Sequence, residues 1–409
     1  MADNPDNESR APRRKAAGRA TGKPGSATGG ARAVRTAKPE HIPSKNHSGL
    51  DVPCFWPLCL PQRLIRTRLD SLRKNLAFVE TIHRTQVRRS APQWSTPNEI
   101  RLALHTLQLR EFSRRADGPF TVVVAPYAGH SSTIADFQKG QSLVETLLDH
   151  GLGRLCVTDW RSAAEATKNY DIDNYLAELN VCVDDLGGSV NLIGLCQGGW
   201  LSAMYAARFP AKVRTLVLAG APIDTDAGEG PVKNYAHTLP TAFYERLVEL
   251  GGGMLKGEFM LTGFKSMHPD AQYVAKFRDL YHNIDDPEYR RRFEEFERWY
   301  EHTLDLPGAW YLQVITQLFK QNRLAKGEFV GLGRQLKLKD VTCPVYLLAG
   351  EADDVTPREQ VFNAEDYLGT PGTRIIKEIT PGGHIGLFMG KETLDAKWPG
   401  IAAWIRRGA

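Results

Sequence analysis

Cys196 lies at the centre of the pentapeptide GLCQG (residues 194–198), which has the spacing of a nucleophile elbow. Such an elbow is a strained turn between a strand and a helix, and it presents its central side chain above the sheet. Gly194 and Gly198 suit the close approach of strand and helix. The N–H groups at the start of the helix stabilise a thiolate or an oxyanion. The pentapeptide alone leaves a second interpretation open, in which Cys196 only fills a tight turn.

A cysteine nucleophile needs a base, and two downstream residues have the types and the order that supply one. His384 follows a glycine pair in ITPGGH, and Asp353 follows an apolar run in YLLAGEADD. The chain order nucleophile, acid, histidine is the order of this architecture. We choose Asp353 over Asp354 because three residues then remain before Pro357. His384 would take the thiol proton, and Asp353 would orient the imidazole and stabilise its charged form. The alternative for His384 is a structural hydrogen bond in a glycine loop.

An oxyanion hole needs two backbone donors. We predict that one is the N–H of Gln197 and that the other comes from Tyr127 or Ala128 in the loop APYAGH. His130 in the same loop either contacts substrate or caps the helix that begins near Ser131. Trp200, just after the elbow, is a second candidate substrate contact.

Near residue 118 the sequence pattern changes, and the new pattern predicts the strands and helices that must position these residues. Six short apolar runs rich in β-branched residues alternate with helical patterns, for instance at 134–148 and 173–185. The runs are 120–129, 153–162, 190–199, 213–224, 343–354 and 374–384. Strand, helix and strand in repetition predict an α/β fold, with a mostly parallel sheet covered by helices on both faces. In such sheets the chemistry lies at the carboxyl ends of the strands.

The alternation stops between about residues 225 and 340, where the sequence is rich in charged and aromatic residues and has helical patterns. We predict a helical cap insertion there, which would shape a pocket over the strand ends and limit the access of water. The predicted α/β domain with this insertion covers residues 96–409.

Two segments precede that domain. Residues 1–48 have a net charge of +6 and no aromatic residue, which predicts a disordered basic tail. Residues 49–95 predict an amphipathic helical segment, with an apolar stripe at Ile65, Leu69, Leu72, Leu76, Val79 and Ile82. The basic tail either binds an anionic surface or only keeps the protein soluble. The stripe either lies on a lipid-like surface or docks onto the protein's own core or a partner subunit, and we favour docking.

Further features of the sequence exclude several classes of protein. The six cysteines form no CxxC pair, so we expect reduced thiols and no metal site. No apolar run is long enough for a membrane span, and no apolar region follows the basic N-terminus as in a secretory signal. There is no dinucleotide or phosphate-binding glycine motif, so no cofactor is expected. These features predict a cytoplasmic protein.

Taken together, the motifs resemble the cysteine-type α/β-hydrolases of polyhydroxyalkanoate metabolism, over about residues 95–406. LIGLCQGGWLSAMYAARFPAKVRTLV, LKDVTCPVYLLAGEADDVTP and GGHIGLF resemble polyhydroxyalkanoate synthases. VVVAPYAGHSSTIAD, VTDWRSA and LDLPGAWYLQVITQLFKQNRLAKGEF resemble intracellular polyhydroxybutyrate depolymerases. The resemblance implies an α/β-hydrolase fold and a Cys–His–Asp triad formed by Cys196, His384 and Asp353.

The two branches differ in the acceptor that attacks the cysteine thioester. Synthases use a hydroxyacyl chain and draw on hydroxyacyl-CoA, whereas depolymerases use water or, in some cases, CoA. Because the oxyanion loop and the cap resemble the second branch, we expect a depolymerase that cleaves 3-hydroxyacyl esters. The full GxCxGG box favours the first alternative, a synthase. A non-catalytic granule-binding protein with this fold is the second alternative.

The resemblance also implies partners. They are polyhydroxyalkanoate polymer or oligomer as substrate, a polymer granule reached through the basic tail and amphipathic helix, and a second copy of the chain in a homodimer. We expect no specific nucleic acid.

Overall fold

The structure is a computed structural model that describes residues 56–87, 91–115 and 117–408, with side chains in the first segment described from residue 67 to residue 85. The predicted basic tail, residues 1–48, lies outside the described residues. The chain divides into two units, Met1–Pro61 and Gln62–Ala409. The sheet, the helices that cover it and the candidate site all lie in the second unit.

Among the residues that the structure describes, eight strands form one mostly parallel sheet. They are β1 Glu99–Ala103, β2 Leu107–Glu111, β3 Thr121–Val124, β4 Leu155–Trp160, β5 Val190–Leu195, β6 Val213–Ala219, β7 Val345–Gly350 and β8 Ile375–Thr380. Their spatial order is β1-β2-β4-β3-β5-β6-β7-β8. The β1–β2 and β2–β4 pairs are antiparallel, and the other neighbours are parallel. This sheet confirms the predicted α/β-hydrolase fold.

The six predicted strands correspond to β3–β8. Strands β3, β5 and β7 are buried along their whole length, because helices cover both faces of a parallel sheet. β1 and β2 were not predicted, since EIRLA and LQLRE carry charged residues and β1 is mostly exposed at the sheet edge.

The helices that cover the sheet and build the insertion have the following bounds. They are α1 Trp56–Val87, α2 Leu143–Asp149, α3 Ile172–Asp185, α4 Gln197–Arg208, α5 Pro231–Thr238, α6 Thr241–Leu250, α7 Gly257–Met267, α8 Lys276–His282, α9 Pro287–Tyr300, α10 Gly308–Gln313, α11 Arg358–Phe362, α12 Ala364–Tyr367, α13 Gly386–Met389, α14 Lys391–Ala396 and α15 Trp398–Arg407. Two π-helical segments, Ala271–Ala275 and Val314–Lys320, lie in the insertion. We keep the name cap for residues 225–340, between β6 and β7, which include α5–α10.

Of the helix predicted over residues 134–148, only the second half is α-helical, and it forms α2. The first half is a 3₁₀ turn followed by a short two-stranded ribbon, Asp136–Gln138 with Gln141–Ser142. The buried carboxylate of Asp136 accepts hydrogen bonds from the backbone N–H of Thr96, at 2.8 Å, and from the hydroxyl of Ser142, at 2.6 Å. Ser142 then caps α2 by accepting from the N–H of Glu145. These bonds start the helix later than the apolar spacing indicates.

The amphipathic helix α1 packs against the cap through a different face from the one predicted. The ring of Phe78 lies edge-on to Tyr281, with 5.7 Å between the centroids, and Lys74 pairs with Asp285 at 2.8 Å. In the apolar stripe, Leu69, Leu72, Leu76 and Val79 are 58–64% exposed, and Ile82 is half-buried. The described chain leaves the first four side chains uncovered, because periodicity marks an apolar face but not what covers it. Docking onto a partner subunit, the other half of the prediction, stays a prediction. No described helix is long and apolar enough to cross a membrane.

Glycines allow the turn after β5 to pack against its neighbours. A Cβ atom at Gly198 would stand 2.0 Å from the carbonyl oxygen of Val124 in β3. At Gly199 it would stand 2.2 Å from the Cβ of Ala221. Because real Cβ atoms do not approach other atoms so closely, larger residues here would force strand and helix apart.

Gly198→Ala should lower the free energy of unfolding by about 3 kcal/mol, since the added methyl group meets rigid backbone. Thermal unfolding measures the change. Gly400→Ala in α15 is the matched control, because a Cβ there meets no described atom within 4 Å and alanine favours a helix. The prediction fails if Gly198→Ala unfolds at the same temperature as Gly400→Ala.

Candidate active site

Cys196 occupies the turn between β5 and α4 in a conformation that residues other than glycine rarely adopt. Its φ is +50° and its ψ is −117°. The strain is held by the packing around it, including the bond from its N–H to the carbonyl of Ala219 at 2.9 Å. Cys196 directly precedes α4, so the N-terminal N–H groups of that helix lie next to its side chain.

Asp353 and His384 lie on loops that follow β7 and β8, and the structure brings their side chains together. Oδ2 of Asp353 lies 2.7 Å from Nδ1 of His384. Oδ1 accepts the backbone N–H groups of Val355, at 3.1 Å, and Thr356, at 2.8 Å. With both oxygens bound and the side chain buried, the carboxylate is fixed in the orientation that holds the imidazole.

The pKa of His384 is raised well above its usual value. Burial alone would lower it, but the negative charges of Cys196 and Asp353 outweigh burial. Nε2 of His384 has no hydrogen-bond partner of its own among the described residues. The charged, imidazolium form of His384 is therefore favoured next to Cys196.

Asp354, the carboxylate that was not chosen, lies apart from the imidazole of His384. It pairs instead with His268 of the cap, with 2.7 Å between Oδ2 and Nε2, and both side chains are about half exposed. Asp353 thus contacts His384, whereas Asp354 contacts the cap.

Of the three predicted oxyanion residues, Gln197 and Ala128 line the same cavity as Cys196. Tyr127 is buried, and its hydroxyl donates to the carbonyl oxygens of Arg161, at 2.9 Å, and Asp305, at 3.2 Å. Its side chain therefore ties the loop APYAGH to these two carbonyl groups and is not part of the described cavity wall. The assignment of the second backbone donor to Tyr127 or Ala128 stays a prediction.

His130 lines the cavity and joins the loop to the cap. Its Nε2 lies 3.1 Å from the carbonyl oxygen of Tyr300, and its ring stacks on Trp299 and Tyr300. Burial lowers its pKa to about 4, although the carbonyl oxygens of Tyr300 and Ala128 favour the charged form. The turn after it is capped by Ser131 rather than His130, because the Ser131 hydroxyl accepts from the N–H of Thr133.

Trp200 lies in the core of the protein, only 1% exposed, and is absent from the described cavity wall. It packs against Trp310 of α10, with 6.0 Å between the ring centroids. Trp310, which sequence reasoning missed, does line the cavity. Nothing in the text LDLPGAWYLQ marks this tryptophan, since its position depends on how the cap folds back over the elbow.

The cavity above Cys196 has a volume of about 820 Å³ and a mainly apolar wall. The cap contributes many of its apolar residues, among them Leu239, Phe243, Leu247, Phe259, Met260, Phe264, Trp299, Trp310 and Phe319. The described residues of the wall include no lysine or arginine. In the described part of the chain, no group of three or more His, Cys, Asp or Glu side chains could hold a metal ion.

Comparison with known proteins identifies the family. A model of the family described as "Protein of unknown function (DUF3141)" matches residues 103–371, more than half of the chain. The chain belongs to this family.

Curated relatives of this DUF3141 protein carry a more specific name. The poly(3-hydroxyalkanoate) polymerase subunit PhaC of Haloferax mediterranei is 30% identical over 323 residues, which are 76% of this chain and 63% of the relative. The subunit of the same name from Allochromatium vinosum is 27% identical over 368 residues, which are 84% of this chain and 97% of the relative. The chain thus spans less than two thirds of the Haloferax protein.

Solved structures similar to the chain include a carboxylesterase of Nitrososphaera gargenis, at a TM-score of 0.48 and 16% identity. The match covers 76% of this chain and 100% of the esterase.

The expectation of a depolymerase is wrong. The curated relatives above are named as polymerase subunits, and others that match the chain carry the same name. The similarities of the oxyanion loop and cap to depolymerases were misleading, whereas the GLCQGG box indicated the synthase alternative. The resemblance to polyhydroxyalkanoate synthases is confirmed, and the chain resembles enzymes.

Asp353→Asn should shift the pH midpoint of Cys196 alkylation upward. Without the carboxylate, the pKa of His384 falls, so the imidazolium that stabilises the thiolate is lost at lower pH. The rate of iodoacetamide labelling, followed against pH by mass spectrometry, measures the midpoint.

Asp354→Asn is the matched control, since this adjacent carboxylate contacts His268 instead. An equal shift in both variants, or no shift in Asp353→Asn, would contradict the assignment of Asp353.

Proposed function

We propose that this chain is an acyltransferase that polymerises 3-hydroxyacyl units through a thioester on Cys196. The observation that carries the proposal is its similarity to polymerase subunits over as much as 84% of its length. The contacts of His384 with Asp353 and its electrostatic coupling to Cys196 support a thiolate nucleophile.

In the first half-reaction, the Cys196 thiolate attacks the thioester carbonyl of a 3-hydroxyacyl-CoA. The carbonyl oxygen becomes an oxyanion, for which the N–H of Gln197 and a backbone N–H at Tyr127 or Ala128 are the proposed donors. The carbon–sulfur bond to CoA then breaks, and the departing thiolate takes the proton held on Nε2 of His384. Cys196 now carries the acyl group, and His384 is neutral.

In the second half-reaction, the neutral His384 removes the proton from the terminal hydroxyl of a hydroxyacyl chain. The alkoxide attacks the Cys196 thioester, an ester bond forms, and the cysteine leaves as a thiolate next to the restored imidazolium. Asp353 stabilises the charged histidine in both steps. Protons and electron pairs balance over the cycle, which releases one CoA thiol for each unit added.

The cavity suits this acceptor better than water. Its cap wall is mainly apolar, so a polyester segment can replace water next to the thioester. Because the described wall offers no lysine or arginine, the phosphates of CoA would stay outside while only the acyl end enters.

The exposed stripe of α1 supports attachment to polymer. Leu69, Leu72, Leu76 and Val79 form an unpartnered apolar face on the described part of the helix. An apolar granule surface would cover this face.

Purified protein incubated with 3-hydroxybutyryl-CoA should release CoA together with growing polymer, whereas amorphous polyhydroxybutyrate should yield little free acid. CoA release is followed with a thiol reagent, and polymer by chromatography after solvent extraction. Release of free acid without polymer would contradict the proposal.

Cys196→Ala should abolish polymer formation, and His384→Ala should lower its rate by about 10²–10⁴-fold, the usual contribution of a general acid–base group. Cys343→Ala is the control, because this half-buried thiol lies outside the described cavity wall. Full activity in Cys196→Ala would refute the thioester mechanism. An iodoacetamide reactivity of Cys196 no faster than that of an ordinary thiol would favour a non-catalytic protein.

A further inference from the structure

Three cavity residues each hold a buried polar atom without a hydrogen-bond partner among the described residues. They are Nε2 of His384, Oε1 of Gln197 and Nε1 of Trp310. Buried polar atoms normally have partners, and one left unpaired is costly unless a ligand binds it. The proposed mechanism uses Nε2 of His384, but it leaves the side chains of Gln197 and Trp310 without a role.

Both of these residues lie close to the nucleophile. Gln197 directly follows Cys196 at the start of α4. Trp310 packs on Trp200 of the same helix and lies edge-on to Tyr127 of the oxyanion loop, with 5.1 Å between the ring centroids. Trp310 is only 2% exposed, so its N–H has no access to bulk water in this conformation. The surrounding cavity wall is mainly apolar and offers few other hydrogen-bond partners to Oε1 of Gln197 and Nε1 of Trp310.

The unpaired atoms are complementary in type. The indole N–H of Trp310 is a donor only, and Oε1 of Gln197 is an acceptor. A hydroxyl group both donates and accepts hydrogen bonds, so a substrate hydroxyl is a suitable partner for either atom. A plain acyl chain has no group that does so, whereas a 3-hydroxyacyl chain has one hydroxyl two carbons from the reacting carbonyl.

We propose that Gln197 and Trp310 bind the 3-hydroxyl of the incoming acyl unit and select hydroxyacyl over plain acyl thioesters. This inference rests on the proposed function, because it takes acylation of Cys196 by an acyl-CoA as given. Gln197 then has two separate parts in the site. Its backbone N–H faces the oxyanion, and its side chain accepts from the substrate hydroxyl.

The test compares two thioesters that differ only in that hydroxyl. The first release of CoA from 3-hydroxybutyryl-CoA and from butyryl-CoA is timed by rapid quench, and the Cys196 adduct is identified by intact mass. Trp310→Phe removes the N–H and keeps an aromatic ring, while Gln197→Met removes the acceptor and keeps the backbone N–H. Each variant should lower the ratio of the 3-hydroxybutyryl rate to the butyryl rate about tenfold.

Trp299→Phe is the matched control. Trp299 also lines the cavity, but its indole N–H already donates to the carbonyl of Ser131 at 3.2 Å. This variant should change the rates with both substrates by the same factor. An unchanged preference in Trp310→Phe and Gln197→Met, or an equal loss of preference in Trp299→Phe, would overturn the inference. If neither thioester acylates the unaltered protein, the proposed function itself fails.

Discussion

The left-handed backbone of Cys196 is the constraint on which the site depends. A cysteine at φ +50° stores strain, and it stays there because β5 and α4 approach each other too closely for another path of the chain. Gly194 makes that approach feasible, because a Cβ atom there would stand 2.5 Å from the Cα of Gly199 in α4. The same turn sets the thiol above the sheet and next to the loops that carry Asp353 and His384. The proposed nucleophile is thus placed by close packing of backbone on backbone rather than by a flexible loop.

Aromatic packing connects the elbow to the cap. The ring of Tyr127 contacts Trp160, Tyr175 and Trp310, so strand β4, helix α3 and the cap share one cluster beneath the oxyanion loop. His130 continues the connection by stacking on aromatic residues of α9. Movement of the cap would therefore disturb the loop that holds Tyr127 and Ala128. In the proposed mechanism, the cap thus belongs to the catalytic geometry as well as covering the site.

The sequence predicted the sheet and the members of the proposed triad, because both leave local signals. Buried parallel strands are continuous apolar runs, and Cys196, Asp353 and His384 follow such runs in the required order. It did not reveal the position of Trp310 in the cavity wall or the exposed face of α1, since these depend on how distant segments pack. The resemblance implies the same triad for depolymerases and synthases, so its residues could not distinguish the acceptor. That choice depends on the cavity, whose wall comes mostly from the cap, where local patterns carry least information.

His130 and His384, two of the histidines in the cavity wall, have pKa values that are shifted in opposite directions. Burial lowers the pKa of His130 to about 4, while the charges beside His384 raise its pKa well above the usual value. His130 therefore favours the uncharged imidazole, whereas His384 favours the imidazolium until its proton leaves in the proposed acylation step. The two rings thus serve different purposes. His384 exchanges a proton with the reacting groups of the proposed cycle, and His130 holds its loop against the cap without a charge.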